Sequence, residues 1–401
     1  MTATTTDTSV YWDMYDREIY RSPYETFRRL RNEAPLYYNE NYDFYVLSQA
    51  DDLLRILGDR DTFISGKGGV YNVIRQGIEM PPGLFIFEDP PMHTMHRGIV
   101  SRLFTPRAVS GLEDQIRALC DEIVDGLVGR DRFDFVRDFA LRLPVQVIGM
   151  LVGVPKADQV SLLETMQKNM HEGTADPERK ITEGILEAAK WFDDYLNWRE
   201  KNPSDDVMTQ LMKFEFEDET GNTRTLRRDE IVTYLTLITS AGSDTTATAI
   251  SWAGSVLSDH PEQRRELVDD LSLIPDAMEE VLRFEPPSYH FCRVSTKDTE
   301  FHGGTIPAES IVVMLPPAAN RDERKWDDPD RFDIHRTPGQ IFTFGFGPHF
   351  CLGANLARLE ARIALETILP RIPEWTVDYD NAALTRGVDT RGWEALPVVV
   401  G

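Results

Sequence analysis

Cysteine is scarce in this chain: 401 residues hold only Cys120, Cys292 and Cys351, with no two in a CxxC spacing. A disulfide framework and a cysteine-built structural zinc site are both excluded, so any cysteine chemistry must come from one residue acting alone. Basic residues are also in deficit, 43 Lys and Arg against 67 Asp and Glu, for a net charge of -24. A surface of that sign repels phosphate backbones and anionic lipid, and no nucleic-acid partner is expected. No uninterrupted apolar run reaches the roughly 18 to 20 residues needed to cross a bilayer. The richest stretch, 231–250, is broken by hydroxyls, Gly242 and Asp244. Residues 1–7 carry no basic side chain of the kind that opens a signal peptide. No membrane anchor and a cytoplasmic location are therefore expected. Fixed-period repeats, low-complexity tracts and long linkers are absent too.

What the chain does have is helical periodicity. Apolar residues recur at helical spacing over 108–127, 181–199, 229–258, 261–271 and 353–369. Leu36-Tyr-Tyr38 and Phe44-Tyr-Val-Leu47 flank the turn-forming Asn39-Glu-Asn41 and predict a hairpin, with a second small β region over 299–314. The expected fold is mainly α with small β regions, one large domain spanning 1–401. Residues 66–88, rich in glycine and containing Pro81-Pro82, predict a long irregular loop of the kind that carries function.

Cys351 sits among Gly345, Gly347, Pro348 and Gly353, just before a helical pattern that can align Leu356, Leu359 and Ile363 on one face. A thiol at a helix start meets free N–H groups and the positive end of the dipole. Both favour the thiolate that a metal needs. The glycines would admit a flat macrocycle close to the backbone, and Phe344 could shield the sulfur. On these residues alone, a buried structural cysteine in a glycine turn is the alternative.

Phe344-x-x-Gly347-x-His349-x-Cys351-x-Gly353 resembles the haem-binding signature of the cytochrome P450 superfamily, soluble bacterial type. The resemblance implies haem b, with Cys351 as axial thiolate and His349 as a hydrogen-bond partner of a haem propionate. Three further segments agree in order. Glu280-Val-Leu-Arg283 is similar to the ExxR element, which in the family joins an arginine from a later segment; Pro329-Asp-Arg331-Phe332 matches that segment, making Arg331 the expected third member. Ala241-Gly-Ser-Asp-Thr-Thr246 is similar to the oxygen-activation motif, with Thr245 the catalytic alcohol and Asp244 the acid that relays protons. Asp89-Pro-Pro-Met-His93-Thr-Met-His-Arg97 is similar to the helix that clamps the propionates through His93 and Arg97, and Arg293 matches another propionate-binding position. His96 matches none of these and is read as a surface residue.

The resemblance implies a haem-thiolate monooxygenase that inserts one oxygen atom from O2 into a hydrophobic small molecule, terpenoid, steroid or fatty-acid-like. About 32 residues follow Leu369, too few for a reductase domain. A separate ferredoxin and ferredoxin reductase are expected, with Arg102, Arg107, Arg358 and Arg362 as a docking patch. The 66–88 loop, Tyr234, Leu237, Ile238 and Ser288-Tyr-His-Phe291 are expected to line the substrate pocket. A non-catalytic haem sensor would not need Asp244 and Thr245, a peroxide-driven oxidase would replace them, and a cysteine hydrolase fits the glycine-rich loop poorly.

Overall fold

A computed structural model describes residues 10–159, 182–218, 220–337 and 339–401. Its axis is the helix Arg228–Asp259, 32 residues and so about 48 Å long. Asp229 and Glu230 occupy its first turn, where carboxylates complement the positive dipole end, and Glu230 accepts the Arg227 N–H at 2.7 Å. Its C-terminus stops at His260, beyond which Pro261 opens the next helix. Most positions from Ile231 to Leu257 are buried, which explains why the sequence shows apolar residues around most of the helix rather than in a single stripe.

Helices Arg142–Val152, Ile274–Phe284 and Ala354–Ile368 surround this rod and share one hydrophobic cluster with it. Gly242 lets Arg142–Val152 approach: a Cβ there would lie 2.6 Å from Ile148 Cδ1. The region expected as one helix over 108–127 is two, Pro106–Ser110 and Glu113–Asp125, parted at Gly111-Leu112. The helix expected over 181–199 runs Thr182–Lys201, residue 181 lying outside the described residues.

The predicted hairpin forms, Leu36–Asn39 pairing antiparallel with Phe44–Leu47. The Asn39 side chain accepts the N–H groups of Asn41 and Tyr42 and so builds the turn. These strands enter a five-stranded sheet with Ile311–Met314, Phe291–Ser295 and Phe63–Ile64. The second β region adds the hairpin Thr299–Phe301/Gly304–Ile306, turned at His302 and Gly303, both at positive φ. Against one face of the sheet lies an aromatic cluster of Trp12, Tyr20, Phe27, Phe44, Tyr71 and Tyr289.

The 66–88 loop is less irregular than expected. It contains the helix Tyr71–Gln76, closed by Gly77 at φ 61°, and a single 3-10 turn over Phe85–Phe87. Six-residue helices are below the length at which periodicity is legible, so glycine content outweighed it in the sequence.

Candidate functional site

Phe342 O accepts the Gly345 N–H, and Phe344 O accepts the Cys351 N–H at 2.8 Å, so the cysteine loop folds back on itself before the helix Ala354–Ile368 begins. Gly345 and Gly347 both stand at φ 70°. At Gly347 a Cβ would meet Leu57 O at 2.5 Å, so glycine is needed both for conformation and for close approach to the end of helix Ala50–Gly58. The loop thereby presents Cys351 with its surface exposed, although the residue lies deep in the protein mass. The residue's accessible surface makes this side of the loop an open wall.

Burial pushes the Cys351 thiol above its ordinary value, while the N–H groups of Gly353 and Ala354 and the charges of Arg97 and Arg358 pull it down. The helix start does pull the thiol down, as expected, but desolvation outweighs it here. A metal cation on the sulfur reverses the balance, because a coordinated thiol is deprotonated outright.

Four cation-capable side chains gather beside this wall. The rings of His93 and His349 lie 4.1 Å apart between centroids. His349 Nε2 is 3.1 Å from Ser65 Oγ, whereas neither ring nitrogen of buried His93 has a partner. Arg97 donates to Phe350 O, and Arg293 donates at 2.7 Å only to the carbonyl of its neighbour Cys292. Among the described residues neither arginine forms an ion pair, although Arg293 is deeply buried and burial lowers its guanidinium to about 10. His349 is lowered to about 3, first by burial and then by Arg293, His93 and Arg97; His93 is lowered by burial and by Arg97. Buried like charges without an anion are costly. The donor set fits a group bearing two carboxylates, and with the thiol it fits haem.

On the long helix, Thr245 is half-buried and its hydroxyl donates to Ala241 O at 3.2 Å. Ala241 is exposed in a helix whose neighbouring turns are buried, so this stretch is open on one side as well. Asp244 is buried on the same turn. Thr246 bonds back to Gly242 O, so both threonines use helix carbonyls and Gly242 serves packing as well.

The ExxR pair is a bidentate bridge, Arg283 Nε to Glu280 Oε2 at 2.6 Å and Nη2 to Oε1 at 2.7 Å, with both side chains buried. The third member is a correction. Arg336, not Arg331, reaches Glu280 Oε1 at 3.2 Å, while the Arg331 side chain is 63% exposed and pairs with Asp333 and Asp328. Only the Arg331 carbonyl joins, accepting from Arg283 at 3.3 Å. Sequence reasoning also missed how the pair supports the cysteine loop: Asn320 bonds Thr343 Oγ1 and the Phe342 N–H, and Thr343 Oγ1 bonds Leu282 O. Asn320 buried beside a glycine loop was the available signal.

Three other expectations change. His96 is buried, with Nδ1 2.7 Å from Glu88 Oε2, and the same carboxylate holds the Gly83 N–H of the loop. Tyr289 packs in the aromatic cluster rather than in a pocket. Of the proposed docking arginines, Arg358 pairs with Glu279, Arg362 with Glu113 and Glu366, and Arg102 lies over the Phe214 ring, leaving Arg107 exposed. Tyr234, Leu237 and Ile238 are buried, and Gly83 rests against Tyr234.

A sequence model of the cytochrome P450 family matches residues 150–373. The chain is 32% identical over 393 residues to cytochrome P450 130 of Mycobacterium tuberculosis, covering 95% of each. It is 34% identical to a steroid C26-monooxygenase of Mycolicibacterium smegmatis, covering 79% of this chain and 80% of that one. Among solved structures it is similar to cytochrome P450 CYP109Q5 from Chondromyces apiculatus, with a TM-score of 0.85, 32% identity and coverage of 97% and 98%. Among the described residues no helix is long and apolar enough to cross a membrane.

Proposed function

From the premise that this chain belongs to the cytochrome P450 family and is a monooxygenase with haem b, we propose that it hydroxylates a hydrophobic small molecule, terpenoid, steroid or fatty-acid-like, with electrons from a separate ferredoxin and ferredoxin reductase in the cytoplasm. The proposed unit is one domain over 1–401. The observation that supports the reading is the grouping, near the Cys351 thiol, of His93, Arg97, Arg293 and His349, none of them in an ion pair among the described residues.

The haem, when bound, supplies the oxygen-activating centre. Cys351 would hold the iron, and its thiolate would push electron density toward it. Arg97 and Arg293 would each bind a propionate through guanidinium N–H groups, with His93 and His349 completing the set. Thr245 would turn its hydroxyl from Ala241 O toward the reacting oxygen and pass a proton there, and Asp244 would resupply the proton from outside. Overall, the substrate gains one oxygen atom, and the other leaves as water at the expense of two electrons and two protons. Tyr234, Leu237 and Ile238, expected as pocket lining, pack in the main hydrophobic cluster, and the apolar substrate body remains what the family resemblance implies.

The reduced, carbon-monoxide-bound protein should show the strongly red-shifted thiolate band, lost in Cys351→Ser. Thr245→Ala should keep that band while diverting reducing equivalents to peroxide or water; unchanged coupling would remove the proton role.

A further inference from the structure

The proposed chemistry leaves one pair of buried polar side chains without a task. His290 precedes the strand Phe291–Ser295 and is fully buried, and among the described residues neither ring nitrogen makes a well-aligned hydrogen bond, the Val388 backbone being its polar neighbour. Its Nε2 stands 3.3 Å from Asp389 Oδ1 without the alignment of a hydrogen bond. Asp389 lies deep in the protein mass, yet 23% of its side chain is accessible. The carboxylate is thus deep in the fold yet open on one side.

The position of the 389–392 turn relates this carboxylate to the proposed haem site. Asp389 O accepts the Tyr289 N–H, and Ser288 bridges Thr390, so the turn is stitched to the segment leading into Arg293. On its other side Gly392 abuts Thr248, where a Cβ would lie 2.4 Å from Cγ2. Thr248 is on the long helix, one turn beyond Thr245. The turn therefore spans from the long helix, which Gly392 meets, to the segment leading into Arg293, where the Asp389 carboxylate stands by His290 and near Cys292 and Tyr15.

Among the described residues no cation pairs with this carboxylate. The two arginines that flank it in sequence are turned elsewhere: Arg391 is committed to Glu285 at 2.5 Å and lies over Trp252, and Arg386 is exposed. His290 supplies no charge, because burial lowers it to about 4. Left uncompensated, Asp389 is pushed up by burial to about 7. A deep carboxylate beside a neutral imidazole suits a ligand cation, which would favour its ionised form.

We infer that Asp389, backed by His290, is a specificity-determining anchor, and that the substrate joins its apolar body to one cationic nitrogen. The inference rests on the monooxygenase reading and adds a charge to the expected ligand. The nitrogen would be held by the carboxylate while the apolar remainder lies along the long helix toward Thr245.

The test uses the haem-loaded protein and three chains of matched length: decyltrimethylammonium, whose nitrogen has no lone pair for iron, its tert-butyl hydrocarbon isostere, and dodecanol. Affinities are read by spin-state change and by calorimetry. The ammonium compound should bind the wild type at least tenfold more tightly than the isostere. Asp389→Asn and Asp389→Leu should each remove that advantage and leave the isostere within about twofold. Equal binding of ammonium and isostere, an equal gain by dodecanol, or an unchanged preference in both variants would overturn the inference. The carbon-monoxide band, retained in both variants, separates loss of this anchor from failure of the haem-thiolate reading, in which the wild type itself would lack the band.

Discussion

Replacing Arg336 by alanine should destabilise the protein far more than replacing Arg331, although the sequence pattern points to Arg331. Arg336 donates to buried Glu280 at 3.2 Å, to Asp327 O at 2.7 Å, and to Asp328 O and Arg331 O at 3.0 Å each. Its side chain is 13% exposed. A hydrogen bond contributes about 1 kcal/mol net, and one to a buried charge about 1.5–3 kcal/mol. Water can replace the arginine at the exposed carbonyls, which discounts those bonds, and Glu280 keeps Arg283 and the Asp333 N–H. The expected loss is about 3 kcal/mol. Arg331 has only exposed partners, for which the expectation is about 0–1 kcal/mol.

Denaturant unfolding followed by far-ultraviolet circular dichroism at fixed haem measures both variants, and the fraction of thiolate band measures loading. Holding haem constant matters because a bound ligand adds its own stabilisation. Arg336→Lys should recover only part of the loss, since an ammonium cannot reproduce the guanidinium fork. If Arg331→Ala proved as damaging as Arg336→Ala, the assignment of the third member would be refuted.

Glu360 is fully buried on the cysteine helix with neither carboxylate oxygen bonded, and burial pushes its pKa well above the ordinary value. The folded state therefore binds a proton that the unfolded state releases, so stability falls as pH rises through the ordinary carboxylate range. Glu360→Met should flatten that slope and stabilise by about 1–3 kcal/mol at pH 8; a steeper slope, or none in the wild type, would contradict it. Gly347→Ala places a Cβ 2.5 Å from Leu57 O at a positive φ, so either the loop or the helix end must move. The expected outcome is reduced haem loading with far-ultraviolet dichroism retained, and normal loading would show that the contact is soft.

The long helix, the hairpin and the order of the four motifs were legible because each depends on spacing along the chain. What stayed hidden depends on where a side chain turns after folding. Arg331 and Arg336 are five residues apart in one irregular segment, and only the tertiary path decides which guanidinium reaches Glu280. His96 is polar in a helix with a basic neighbour, the pattern of a surface residue, until Glu88 folds over it. The docking arginines were read as free charge because their partners Glu279, Glu113 and Glu366 come from other elements or from the next helical turn. Asp389 gave no motif at all, since an isolated acid near the C-terminal strands means little before its surroundings are known.

The aromatic cluster on the sheet has an engineering consequence. Tyr20 donates to Thr390 O at 2.9 Å, Arg17 donates to Thr385 O at 2.6 Å, and Trp12 and Tyr20 bracket Tyr289. The turn that carries Asp389 is thus splinted by residues 12–20, almost the whole chain away in sequence. Grafting the 385–392 turn into a relative without that splint would transplant letters but not geometry, so a chimera that moves selectivity must carry both segments as one cassette.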